Sequence, residues 1–162
     1  MKRIIISAMV AMTIIFLAES CKHETLTPED QELYEAATDP NLYYYQSNNV
    51  ILDAEGNSPH GSFKLRFNQI AWDALGPDGR LPVGATFPEG ALVVKEVYSG
   101  NDLDLIAIMK KSNASNSARG WLWNEMNPDG SVHYGVDNKG SGCTGCHSGN
   151  TNRDLVNSFD LH

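Results

Sequence analysis

Three stretches in the second half of the chain, residues 91–98, 103–110 and 121–126, gather Val, Ile, Leu and aromatic residues between short polar breaks, which predicts three β-strands. Ser99-Gly100-Asn101-Asp102 supplies a hairpin turn between the first two, and Asn127-Pro128-Asp129-Gly130 a turn into a short fourth strand, 132–134. Ahead of these strands the pattern is helical. Thr27 precedes Pro28, Glu29 and Asp30: an N-cap, then proline at the first helical position, then acid in the first turn. A helix is predicted from there to about Thr38, stopping before Pro40. Residues 41–59 read as loop, with the run Tyr43-Tyr44-Tyr45 expected to pack the helix against the rest of the domain. Residues 67–75 read as a second short helix ending at Gly76, and Pro77, Gly79, Pro82 and Gly84 make the next segment a loop. The predicted class is α+β, mainly an antiparallel β-sheet with a few short helices.

The remaining apolar run, residues 4–17, follows Lys2 and Arg3 and leads into Ala18-Glu19-Ser20-Cys21. A basic start, an apolar stretch short for a bilayer span and small residues at its end predict a cleaved export signal over residues 1–20. Cys21 directly follows the cleavage-like residues, as does the lipid-modified first residue of a bacterial lipoprotein. The expectation is an exported chain, periplasmic or outer-membrane-associated, with a lipid anchor on Cys21. Glu19 departs from the small or apolar residue usual in a lipoprotein cleavage box, and Ala18-x-Ser20 also suits ordinary signal peptidase. Residues 21–27 then form a tether and 28–162 a single domain, long enough for a proper core. The formal net charge of −8 becomes more negative once Lys2, Arg3 and Glu19 are removed, which argues against nucleic-acid binding.

Chemistry concentrates near the C-terminus, in Cys143-Thr144-Gly145-Cys146-His147. C-x-x-C-H is the pattern of covalent c-type haem attachment. Two thiols at this spacing reach the two vinyl groups of one porphyrin, and the adjoining His places an imidazole nitrogen under the iron. Zinc would need about four ligands, usually as two pairs. Here there is one pair, with Cys21 and the scattered His23, His60, His133 and His162 as the other candidates. A redox C-x-x-C normally opens a helix in a βαβ unit, whereas this one sits in Gly/Ser-rich sequence. The cofactor expected is therefore one covalent haem c on Cys143 and Cys146, with His147 as proximal iron ligand. Small helical electron-transfer cytochromes attach haem early and take a later Met, but no Met follows Met126. A sheet-based cytochrome with a C-terminal attachment loop is what remains.

Further segments carry a family likeness. Phe87-Pro88-Glu89-Gly90-Ala91-Leu92-Val93-Val94-Lys95-Glu96 resembles the F-P-x-G-x-x-x-V-K-E segment of the cytochrome P-460 family. Ile108-Met109-Lys110, Trp121-x-Trp123, the C-x-x-C-H motif and Arg153-Asp154-Leu155-Val156 follow in that family's order, over about residues 60–160. The resemblance implies a largely β-sheet periplasmic haem protein, commonly a homodimer, with five-coordinate iron open on its distal side. It also implies that Lys95 matches the lysine that P-460 enzymes cross-link to the porphyrin when they oxidise hydroxylamine. The related cytochromes c′-β lack that bond and bind small gases such as nitric oxide.

The strand pattern alone leaves Lys95 two readings: a solvated edge-strand residue beside Glu96, or an amine in a dry site, where its neutral, nucleophilic form is favoured. The hydroxylamine-oxidising members also carry a carboxylate over the distal face. The matching place here is near Ile106 or Ala107, both apolar, and nothing in the sequence puts Glu125 or Asp104 there. Phe63, Phe67, Phe87 and Met109 are candidates for an apolar distal pocket and equally suited to plain core. Trp121 and Trp123 are expected to be core; Arg66 and Arg119 are candidates for holding haem propionates, with solvated surface as the default. His133 is expected to be exposed, and His60 has no evident partner. Three functions follow: a binder of small nitrogen-oxide ligands, an oxidoreductase acting on hydroxylamine or nitric oxide, or an electron carrier with Met109 or Met126 as sixth ligand. In each, the partner protein for electron exchange is unidentified.

Overall fold

Short apolar-rich segments, two pairs of them joined by tight turns at Gly100 and Gly130, form one six-stranded antiparallel meander. Its strands are β1 (Tyr43–Tyr44), β2 (Ser62–Phe67), β3 (Leu92–Ser99), β4 (Asp102–Lys111), β5 (Trp121–Met126) and β6 (Val132–Tyr134), paired in chain order. The helices are α1 (Pro28–Ala37), α2 (Gln69–Asp73) and the single turn α3 (Thr144–His147). This computed structural model describes residues 24–56, 58–149 and 152–160. The expected export signal and Cys21 lie outside the described residues. Among the described residues no helix is long and apolar enough to cross a membrane. The α+β class, dominated by antiparallel sheet, is as expected.

The predicted first helix is present, and its start is a full capping box. The Thr27 side chain accepts from the Asp30 backbone N–H, and the Asp30 carboxylate accepts from the Thr27 backbone N–H. The four predicted strands lie within a residue of their expected ends. The region before them needs correcting. Residues 62–67, Ser-Phe-Lys-Leu-Arg-Phe, form a full strand pairing with β3 from Ser62↔Tyr98 to Phe67↔Val93. The second helix therefore begins only after Phe67, at Gln69, with the Asn68 side chain capping the Ala71 N–H. The expected loop 41–59 contains β1. Its tyrosines do not serve the first helix: Tyr43 stacks on Trp72, Tyr44 lies under the Arg66 guanidinium, and Tyr45 meets Phe159 edge-on.

Each face of the sheet buries its own core. On one face α1 lays Leu33 and Ala37 over Leu92, Val94, Ile106, Ile108, Leu122 and Met126. Arg66 and Glu96 sit on this face too, almost completely buried and paired at 2.8 Å. Arg66 is thus neither solvated nor turned toward the opposite face. On that opposite face Phe63, Leu65, Phe67, Val93, Met109, Trp121 and Trp123 pack under Phe87, Val156 and Phe159 from the connecting loops. This second core stops short of the far end of β3–β5, and a cleft opens there.

Candidate functional site

Register places the cleft floor. Leu65, Lys95, Ala107 and Glu125 are direct cross-strand partners in one row over β2 to β5. The next row on the same face is Phe67, Val93, Met109 and Trp123. Ala107 is the smallest side chain of its row, so the Lys95 amine and the Glu125 carboxylate flank a depression instead of a filled core. The segment 141–149 forms the opposite wall. It can lie close because Gly140, at φ +61°, passes over the Trp123 indole, where a Cβ would come within 2.5 Å of the ring. The Gly140 carbonyl then accepts from the Cys143 and Thr144 N–H groups and starts the α3 turn.

His147, on that turn, is the best-held side chain in the wall. Its Nδ1 lies 2.7 Å from the Leu155 carbonyl, which only accepts, so Nδ1 carries the proton and Nε2 is left with a free lone pair. The ring edge also meets Trp123, at 4.9 Å between centroids. Burial pulls the His147 pKa below its ordinary value, against the opposing effect of the Leu155 carbonyl, which favours the neutral imidazole that ligates metals. Asn157 braces the turn through the Cys146 carbonyl at 3.2 Å. Cys143 and Cys146 are free thiols; burial pushes that of Cys143 up to about 11.

Between these walls lies a cleft of about 600 Å³, lined by His60, Lys95, Glu125, Cys143, Cys146 and His147, with Glu55 and His133 at its rim. That volume is in the range of cofactor pockets. Its inner end reaches Met109, Val93 and Trp123. Glu125 is held by His60, Oε1 to Nε2 at 3.0 Å, and that hydrogen bond keeps its carboxyl below the usual range. His60 therefore does have a partner. Glu125, one strand beyond Ala107, is the carboxylate in the row of Lys95. Asp104 is exposed and does not line the cleft.

Of the distal candidates, Met109 lines the cleft, and Phe63 supports it from below, its ring centroid 4.0 Å from the Lys95 amine. Phe67 stacks on Phe159 and Phe87 meets Trp121 edge to face, both as core away from the cleft. Met126 is buried under α1, on the wrong face for a sixth ligand. Arg119, in the loop between β4 and β5, does not line the cleft. Trp123 is core as expected, and its contact with His147 is one the sequence does not signal.

Residues 44–158 match the family Cytochrome P460. The chain belongs to the cytochrome P460 family. No curated protein and no solved structure matches it. Membership makes the chain a haem protein of the P460 type, and the site tests well against that group. A neutral imidazole with one nitrogen free, two thiols on the same turn and a cleft of cofactor size are the donors and the space that haem requires.

Lys95 is half-buried, and no carboxylate pairs with it among the described residues. Desolvation lowers its pKa from 10.5 to about 8. The unfolded chain therefore binds the extra proton between about pH 8 and 10.5, and folded-state stability rises with pH across that window. In haem-free P460 chains, Lys95→Met should be more stable than wild type at pH 7 by up to roughly 3 kcal/mol. That gap should close toward pH 10.5. Urea midpoints at the two pH values measure it, and a gap independent of pH would show that buried charge is not its origin.

Proposed function

We propose that this chain is an exported mono-haem cytochrome c of the P460 type, with five-coordinate iron serving redox or small-ligand chemistry. Lipid on Cys21 would anchor it on the periplasmic side of a membrane. Cys143 and Cys146 would hold the porphyrin, each adding its S–H across a vinyl group, and His147 Nε2 would ligate the iron. The observation that carries the reading is the committed tautomer of His147, Nδ1–H on the Leu155 carbonyl and Nε2 free, on a turn that borders the cleft. Haem bound there supplies an iron that exchanges electrons and takes up small neutral or anionic ligands.

The chain's own groups supply the rest. Val93, Ala107 and Met109 keep the inner cleft apolar and exclude water. Lys95, with a lowered pKa and no carboxylate partner among the described residues, offers an amine that donates a hydrogen bond or, neutral, acts as nucleophile. It is the residue we assign to haem contact and, in an enzyme oxidising hydroxylamine, to the porphyrin cross-link. Glu125, held ionised by its hydrogen bond to His60 Nε2, is a carboxylate base within the same cleft. Nitric oxide and hydroxylamine are the ligand and substrate that we assign. A homodimer and a separate redox partner protein complete the proposal.

Carbon monoxide tests the open coordination position. Added to the ferrous protein, it should shift the Soret band at once. A low-spin spectrum indifferent to carbon monoxide would instead favour an electron carrier, for which Met109 is the cleft-lining sulfur.

A further inference from the structure

Two consecutive residues, Asp154 (φ +52°) and Leu155 (φ +71°), adopt the left-handed region without being glycine. Aspartate tolerates that conformation; leucine does so only when its surroundings enforce it. The enforcement is visible on every side. The Asp154 carboxylate accepts from Lys111 Nζ with both oxygens at 2.8 Å and from the Phe87 backbone N–H at 2.8 Å. Lys111 is held in turn over the Trp121 ring at 4.8 Å. One residue earlier, Arg153 binds Asp160 and the Leu81 carbonyl, and the Asn152 carbonyl accepts from the Gly84 N–H at 2.7 Å. The segment is thereby fastened to the loop before β3 and to the end of β4. The consequence is local: the carbonyl of Leu155 points at His147 Nδ1.

We infer that Asp154, clamped by Lys111 and the Phe87 N–H, is a positioning residue that holds the Leu155 carbonyl on His147 and so sets the orientation and donor strength of that imidazole. The inference rests on the proposed ligation of iron by His147. A carbonyl that accepts from Nδ1–H makes the ring a stronger electron donor at Nε2, which stabilises oxidised iron. The lever is an ion pair whose lysine lies well before the C-x-x-C-H motif, joining β4 to the C-terminal segment.

The test uses the haem-loaded protein and reads the midpoint potential and the iron–imidazole stretching frequency of the ferrous form. Asp154→Asn keeps the size and the tolerance for positive φ but removes the charge; Lys111→Met removes the other half of the clamp. Both should raise the potential and lower the stretching frequency, while Lys111→Arg should stay close to wild type. The two variants change charge in opposite senses, so a plain field effect would move their potentials in opposite directions. That result would overturn the inference, as would unchanged potential and frequency in Asp154→Asn accompanied only by a lower Tm. If Asp154→Asn does not accumulate, Lys111→Met decides the matter by the same criterion. His147→Gly is measured alongside: if its spectrum equals wild type, the ligand assignment has failed, a different outcome from failure of the clamp.

Discussion

His147→Ala protein, matured where haem is attached, should retain haem on its cysteines yet lose the wild-type ferrous spectrum. The thiols and the imidazole sit on one turn but do different work, so the two properties should separate. Cys143 and Cys146 need only reach the porphyrin edge. The iron needs a neutral nitrogen in a fixed direction, and the Leu155 carbonyl and the Trp123 ring fix only His147. His60, another cleft imidazole, is engaged by Glu125, and His133 is exposed at the rim. Added imidazole should restore a ligated spectrum, since the space vacated is that of one ring. An absorption spectrum of His147→Ala identical to wild type would remove His147 from the iron.

Glu96→Ala should cost roughly 3–5 kcal/mol of folding stability, the loss expected when one partner of a buried ion pair is deleted. Glu96 and Arg66 are 9% and 6% exposed, and among the described residues the guanidinium donates to two oxygens, Glu96 Oε1 at 2.8 Å and the Asp39 carbonyl at 2.6 Å. Without Glu96 the buried charge retains a single carbonyl, and the Tyr98 hydroxyl loses its acceptor at 3.1 Å. Domains of this size have a total stability of about 5–15 kcal/mol, so urea unfolding should show the change plainly. Replacing both residues by apolar ones of similar volume, Arg66→Met with Glu96→Leu, should recover most of the loss. An effect of the single substitution under about 1 kcal/mol would mean that water reaches the pair.

The sheet was legible wherever apolar alternation met a turn: 92–99 and 102–111 share the Gly100 hairpin, and Gly130 closes the next. Thr27 and Asp30 announced the first helix because capping chemistry is local. The strand 62–67 also alternates, Phe-Lys-Leu-Arg-Phe, but is not among the strands expected from the sequence. Its charged outer residues disguised it, because Arg66 is neutralised by Glu96, 30 residues away. The attachment motif was readable because its spacing is its chemistry. The cleft was not. Lys95, Ala107 and Glu125 meet only through the registers of three strands, and His60 reaches Glu125 across 65 residues. Nor does any residue type advertise that the backbone at Asp154 and Leu155 would turn left-handed.

Intact mass under denaturing conditions, measured on the chain matured in a periplasm with haem-attachment machinery, reads directly whether haem is covalently bound. The mass should be increased by one haem, resistant to extraction and located by peptide mapping on residues 143–147. A chain of unmodified mass at both cysteines, with two thiols free to alkylate, would contradict it.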